Sequence, residues 1–283
     1  MKNASDLDLD ELIRLAAKST DRLTRVDTGR RVVWIKRADA KSTPVSYYLQ
    51  RILTLALPGT IFSPAPAESG NHATEGELRR LRAFEAQGLP VPEILYQGDA
   101  VVVMGDCGPT LDDRLQEAQR LGDAERHEDL LVSFAAAVGK CAQKGLVHGR
   151  PHPRDCFIRD GQVGFMDFEQ NPLAVMPLDV AEARDALFVF GFVCERATKS
   201  QTPHAAWDAW ATRAPPAAIG KLRAAMRRLR PVLKIARAAM RLHAGSDLRR
   251  FLAGTEFLAL KLGALEDAAA DPKHSNMNSS DRV

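Results

Sequence analysis

The spacing of apolar and polar positions changes along this chain, and each change predicts an element. Residues 7–18 carry leucine, isoleucine and alanine at helical spacing among acidic residues, which predicts a short amphipathic helix. From Leu23 to Lys36 the period shortens to two, with β-branched residues on either side of Thr28-Gly29-Arg30. That pattern predicts a hairpin ending in the strand Val32-Val33-Trp34-Ile35-Lys36. Helical spacing returns over residues 44–56. Residues 58–72 hold Pro58, Gly59, Pro64, Pro66, Gly70 and Asn71, and predict a loop. A strongly charged helix is expected over Thr74–Gln87, with Thr74 as N-cap, Glu77 closing a capping box and Gly88 as the stop. Strands follow at Ile94–Tyr96 and Val101–Met104 around a Gly98-Asp99 turn, and Gly105–Pro109 reads as a joint.

Beyond the joint the period is mostly helical. Helices are expected over residues 110–120 and 127–144, the second ending at Gly145. His148–Arg154 is a loop, and Cys156–Ile158 and Gln162–Met166 form a small hairpin about Asp160-Gly161. From residue 179 onward the chain reads helical, with breaks at Pro203, Pro215-Pro216 and Gly245 and a bend or break at Pro231. Residues 268–283 are small and polar, the composition of a disordered tail. The expectation is an α+β chain: a small strand-rich lobe over residues 1–104, a larger helical lobe over 105–267, and the tail.

Composition narrows the class. The chain has 283 residues, 45% apolar and 27% charged, which suits a globular protein with a real core. The net charge of +3 gives no bulk signal for nucleic acid. Cys107, Cys141, Cys156 and Cys194 show no C-x-x-C pair or metal-ligand spacing, which suits a reducing compartment. The acidic N-terminus (Asp6, Asp8, Asp10, Glu11) does not read as a secretory signal, and Ile52–Leu57 is far shorter than the ~20 residues of a spanning helix. A cytoplasmic location is expected.

Several residues have the chemistry of phosphoryl transfer, which needs a cation on the phosphates, oxygen ligands for magnesium and a group to orient the acceptor hydroxyl. Lys36 ends a strand, where it could reach phosphate oxygens from a rigid base; by itself it reads more simply as an exposed strand-end lysine. Glu77, on a helix whose apolar face holds Leu81 and Phe84, could aim that lysine, and Glu75 competes for the role. The strand Val101–Met104 runs into Gly105-Asp106, so backbone groups at Met104 and Asp106 could meet an adenine edge. Asp155 and Asp167 stand at the two ends of the small hairpin, which brings two carboxylates close enough to share a magnesium ion that also takes phosphates.

The series Lys36, Glu77, His148-Gly149, Asp155 and Asp167-Phe168-Glu169 resembles the bacterial kinase-like phosphotransferases, including aminoglycoside phosphotransferases and RIO-type kinases. It is most similar to the Kdo and heptose kinases of the lipopolysaccharide core. Glu77-x-x-x-Leu81 through Gly88-Leu89-Pro90-Val91-Pro92 is similar to that group's helix and following strand. The likeness covers about residues 23–190. It implies a two-lobed protein-kinase-like fold, ATP as donor, magnesium as cofactor and a hydroxyl acceptor, with a lipopolysaccharide-type sugar as the leading class. Asp185, in Ala183-Arg184-Asp185-Ala186-Leu187, matches the group's buried aspartate that braces the catalytic loop.

The chain departs from that pattern before Lys36, where Asp27-Thr28-Gly29 is a single-glycine turn and not a G-x-G-x-x-G loop, and again at the catalytic loop. Counted back from the hairpin, Asp155 takes the place of the group's metal-binding asparagine, and Arg150 stands where the catalytic aspartate is usual. An arginine stays protonated and cannot accept the hydroxyl proton. In a second alignment Arg154-Asp155-Cys156-Phe157-Ile158 resembles the heptose kinases' Arg-Asp-Cys-Tyr-Ile, which makes Asp155 the acceptor-orienting residue. Two functions follow. Either Arg150 stabilises transition-state charge while Asp155, His148 or His152 orients the acceptor, or the chain is a pseudokinase that regulates or scaffolds. His148 also reads as a packing residue of the loop.

Residues 221–250 contain ten Lys/Arg and one acidic residue, Asp247. Leu222, Met226, Leu229, Leu233, Ala236 and Met240 form an apolar stripe beside Arg223, Arg227, Arg230, Lys234, Arg237 and Arg241. This is either a core helix with a solvated face or a surface that meets anionic lipid, which would put the protein peripherally on the inner membrane. Aromatic residues are not interleaved there, so nucleic-acid binding has no support.

Overall fold

The computed structural model of the chain describes residues 8–19, 21–37, 61, 63, 71–240 and 245–263. The helix expected over 44–56, most of the loop expected over 58–72 and the tail expected over 268–283 lie outside these residues. The architecture is α+β: one antiparallel sheet, one separate hairpin and a larger helical part.

Helix α1 (Leu9–Lys18) precedes the hairpin β1 (Leu23–Asp27) and β2 (Val32–Arg37). Helix α2 (Asn71–Ala86) leads to β3 (Ile94–Gln97) and β4 (Val101–Gly105). The four strands form one sheet in the order β1-β2-β4-β3, every pair antiparallel. Alternation divides its faces. Val33, Ile35 and Val103 are buried together with Leu12 and Ala16 of α1. Val102, on the opposite face, is buried in the main core with Leu78, Leu81 and Phe84 of α2. Lys36 alternates with Ile35 and so leaves the α1 face. Arg37 ties α1 to the sheet by donating to the Ala16 and Ser19 carbonyls at 3.1 and 3.2 Å, where the helix dipole favours a cation.

Two local expectations are corrected. Thr74 does not cap α2, because the helix begins three residues earlier, at Asn71, and takes in the last residues of the expected loop. Glu77 cannot close a capping box there, since its carboxylate is bound to Lys36. The stop at Gly88 stands: φ is +69°, Leu89 N–H donates to Phe84 O and Gly88 N–H to Glu85 O, the paired bonds of a Schellman end.

The helical part begins with α3 (Leu111–Leu121), whose N-cap Thr110 forms a capping box with Asp113. Helix α4 (Ala124–Gln143) ends at Gly145, and a 3-10 turn, Pro153–Asp155, leads into the hairpin β5 (Cys156–Arg159) and β6 (Gln162–Phe165). Asp160 and Gly161 both have positive φ, as a two-residue hairpin turn requires. Helices α5 (Leu178–Arg196), α6 (Thr202–Ala211), α7 (Pro216–Met240) and α8 (Ser246–Lys261) follow. Pro203 and Pro216 lie in first turns, where a missing N–H costs little.

Helix α7 runs unbroken through Pro231, against expectation. Leu229 and Leu233 are buried on either side of the proline, and this packing holds the helix through it. The predicted apolar stripe of α7 is its core face at Leu222, Met226, Leu229 and Leu233, while Arg223, Arg227 and Arg228 are exposed. Helices α5 and α8 cross closely, since a Cβ on Gly254 would lie 2.5 Å from the Gly191 nitrogen. Among the described residues no helix is long and apolar enough to cross a membrane.

Candidate functional site

Strand β2, helix α2 and the segment after β6 converge on Lys36. Its ammonium lies 2.8 Å from Glu77 Oε1, 2.7 Å from Asp167 Oδ1 and 3.4 Å from Glu169 Oε1. The competition between Glu75 and Glu77 is thereby resolved: Glu77 makes the pair, and Glu75 is exposed. Burial alone would lower the Lys36 pKa, but Glu77 and Asp167 raise it above its ordinary value. Burial would raise Asp167, and Lys36 pulls it below the ordinary carboxylate range. Both partners are thus held ionised. Arg22, just before β1, contacts Glu169, so the lysine sits in a chain of alternating charges.

The hairpin brings the two predicted aspartates together. Asp155 directly precedes β5 and Asp167 follows β6 by two residues; Met166 N–H donates to the Asp155 carbonyl at 2.9 Å and extends the pairing by one rung. Burial, and then the Asp167 charge, push the Asp155 carboxyl up to about 7. Asp167 has φ of +64°, a backbone state that non-glycine residues adopt at a cost and that clusters at functional sites. Two carboxylates in one buried place are a hard-oxygen donor set. The pair could hold a magnesium ion that also takes phosphate oxygens.

The loop before Asp155 is braced from behind. Asp185 on α5 accepts the His148 N–H at 2.6 Å and the Gly149 N–H at 2.9 Å. Arg184 donates to the Gly149 carbonyl at 2.6 Å. Burial pushes the Asp185 carboxyl up to about 6, against the pull of Arg184 and of the His148 and Gly149 N–H groups. Gly149 has φ of +92°, and a Cβ there would stand 2.5 Å from the Gln170 carbonyl oxygen.

His148 was read either as a residue that orients the acceptor or as a packing residue of the loop, and its surroundings are those of a packing residue. The ring is enclosed at 2% exposure, with Nε2 3.0 Å from the Met166 carbonyl and its plane tilted against Phe168 at 4.8 Å. Burial lowers its pKa to about 4, so the ring is neutral at pH 7. It holds the segment before Asp167 through the Met166 carbonyl and the Phe168 ring. His152 is half-buried, and its Nδ1 accepts the Arg154 N–H at 3.1 Å. Arg150 lies near enough to Asp155 to pull its pKa down against the larger effects of burial and Asp167.

The backbone around Met104 and Asp106, expected to meet an adenine edge, is partly committed within the fold. Gly105 N–H donates to Glu93 O and Asp106 N–H to Val32 O, so those two donors close the sheet. The Asp106 carboxylate accepts from Trp34 Nε1 at 2.6 Å and from Gly108 N–H at 2.9 Å, which fixes the joint. Met104 is half-buried against the main core and lies opposite Trp34 in the sheet.

Arg80 carried no signal in the sequence. Its guanidinium donates to the carbonyls of Phe168, Gln170, Val147 and His148, and its Cζ lies 5.2 Å from the centre of the Phe168 ring. One side chain on α2 thus joins the loop at His148 to the segment after Asp167. Phe84 supports the same junction, with its ring 4.6 Å from Phe168.

No family model matches the chain. Among curated proteins it is similar to an uncharacterised protein of Haemophilus influenzae, 30% identical over 142 residues, which is 50% of this chain and 56% of that protein. The match therefore spans only about half the length of that relative.

Proposed function

We propose that the chain has a two-lobed protein-kinase-like plan and transfers the terminal phosphoryl group of ATP, with magnesium, to a hydroxyl, a lipopolysaccharide-type sugar being the acceptor class that the resemblance implies. The observation that carries this reading is Lys36, held between Glu77 and Asp167 at 2.8 and 2.7 Å. A strand lysine aimed by a helix glutamate is a recurring device for gripping nucleotide phosphates. The sheet with α2 would be the small lobe, the helices after Gly105 the large one, and the cleft between them would hold the nucleotide.

Each charged group has a role on this reading. Lys36 turns from Asp167 to the phosphates. Asp167 and Asp155 would hold magnesium, which would offset the charge of the phosphates, and the position of Asp155 beside β5 supports its metal-ligand alignment. Arg150 faces the charge that develops on the transferred group. In the second alignment Asp155 would instead be the residue that orients the acceptor hydroxyl. The phosphoryl group passes to the hydroxyl oxygen, ADP leaves, and the hydroxyl proton goes to Asp155 or to solvent. The exposed Arg223, Arg227 and Arg228 of α7 would rest on anionic lipid if the acceptor is membrane-borne.

Arg150 favours a second reading, a nucleotide-binding regulator without turnover. The test is ATP binding by calorimetry with and without magnesium, together with ATP turnover, on the wild type, Asp167→Ala and Arg150→Ala. The expected result is magnesium-dependent binding that Asp167→Ala abolishes. A wild type that binds no nucleotide would sink both readings, and binding without turnover in any acceptor extract supports the regulator.

A further inference from the structure

We propose that Arg196 and Arg250, packed on Phe192, and Arg154, linked to Arg196 through Asp112, form an anion-binding subsite beside the loop that carries Asp155, and that this subsite receives a phosphate or carboxylate borne by the acceptor. As an acceptor subsite it rests on the phosphotransferase reading; as an anion site it stands alone.

Three separated segments build the cluster. Arg196 and Arg250, from α5 and α8, place their guanidinium carbons 5.1 and 5.6 Å from the centre of the Phe192 ring. His152, from the loop, meets the same ring edge-on at 5.2 Å. Arg154 and Arg196 both lean on Asp112, with Arg154 Nε 3.4 Å from Oδ2 and Arg196 Nη2 3.6 Å from Oδ1. Arg250 Nε donates to Glu195 Oε2 at 2.7 Å.

Exposure decides what a solute meets. The Asp112 side chain is 4% exposed and that of Arg154 is 70% exposed, so the carboxylate lies beneath and the cation on top. Arg196 stands between them at 26%. Two carboxylates, Asp112 and Glu195, orient three arginines, and Arg150 adds its charge to the same neighbourhood. Burial, and then Arg250 and Arg154, lower His152 to about 4, so the histidine is neutral at pH 7 and does not add to the repulsion. Guanidinium groups held in place by packing on an aromatic ring are well suited to phosphate and carboxylate, which they bind in parallel N–H···O pairs. Arg154 is the residue next to Asp155, so an anion bound here brings the rest of its molecule to the loop.

The test uses the full chain and inorganic phosphate, followed by the arginine Nε–Hε NMR signals and by calorimetry, with acetate in a parallel arm at matched ionic strength. Saturable shifts of the Arg154 and Arg196 signals at millimolar phosphate or acetate are expected, weakening as chloride is added. Arg154→Gln should loosen binding several-fold and Arg154→Gln/Arg196→Gln at least about tenfold, with urea unfolding of each variant as the fold check. The single variant, at an exposed position, covers the case in which the double variant does not fold. No saturable shift with either anion overturns the proposal, and so does phosphate binding that is equal in wild type and variant. Magnesium ATP calorimetry on the same samples keeps the two readings apart. Phosphate at the arginines without nucleotide binding retains the anion site and removes the phosphotransferase; nucleotide binding without phosphate does the reverse.

Discussion

Lys36 Nζ and Glu77 Oε1 lie 2.8 Å apart although 41 positions separate them, and Asp167 closes on the same ammonium from 131 positions away. The pair is largely buried, with side-chain exposures of 16% and 11%. The two members are not equivalent. Removing Glu77 leaves the lysine with Asp167 and Glu169, whereas removing the lysine leaves three carboxylates facing one another.

Lys36→Met should therefore destabilise the fold more than Glu77→Gln, by about 3 against about 1–2 kcal/mol in urea unfolding. In binding assays the order of damage is the same, and Lys36→Met should lower magnesium ATP affinity at least about tenfold. Equal stability of both variants and the wild type would mean that the ion triad is not formed in solution.

Gly149 supplies a prediction from geometry alone. Its φ of +92° and the 2.5 Å approach of the Gln170 carbonyl to a Cβ leave no room for a side chain. Gly149→Ala should cost roughly 2–4 kcal/mol of stability, through strain and displacement of the loop from Asp185. An unchanged urea midpoint would show that the loop is not held in this conformation.

Much of this arrangement was legible in the sequence, because its signals are local or carry a side-chain signature. The Asp160-Gly161 turn, the stops at Gly88 and Gly145 and the spacing of Asp155 and Asp167 across a hairpin are read within a dozen residues. Arg80 was not legible. It lies in a helix crowded with charges, and its partners are backbone carbonyls 67 to 90 residues away, which no side-chain pattern records. The false cap at Thr74 has the related cause that Glu77, which matches the capping pattern, is drawn to a lysine on a distant strand. Pro231, expected to bend or break the run, does not break it, because Leu229 and Leu233 on either side are held in the core.

Arg80→Lys keeps the charge and removes the planar fork. A single ammonium cannot serve four carbonyls in two segments, so some of these buried acceptors lose their donors. The expected cost is about 2–3 kcal/mol. Hydrogen exchange should quicken together at residues 147–149 and 168–170, the two segments the arginine joins. Faster exchange confined to one segment would show that the clamp does not couple them.

His148 sets a pH dependence with a definite sign. Its ring titrates at about 4 in the folded chain against 6.5 as an ordinary histidine, because burial disfavours the charged ring. The unfolded chain therefore binds the extra proton first. The stability contributed by the neutral ring is fully present above pH 6.5 and is lost as pH falls from 6.5 through about 4. The full effect is about 3 kcal/mol. Asp155 and Asp185 are shifted upward and act in the opposite sense, so the bare stability curve mixes the contributions. The difference between wild type and His148→Gln isolates one group. That difference should shrink across this window, by an amount approaching the full value. Histidine NMR gives the direct check: a midpoint near 4 fits an enclosed ring donating from Nε2 to the Met166 carbonyl, and a midpoint near 6.5 would mean that the ring is solvated and the segment before Asp167 is held by something else.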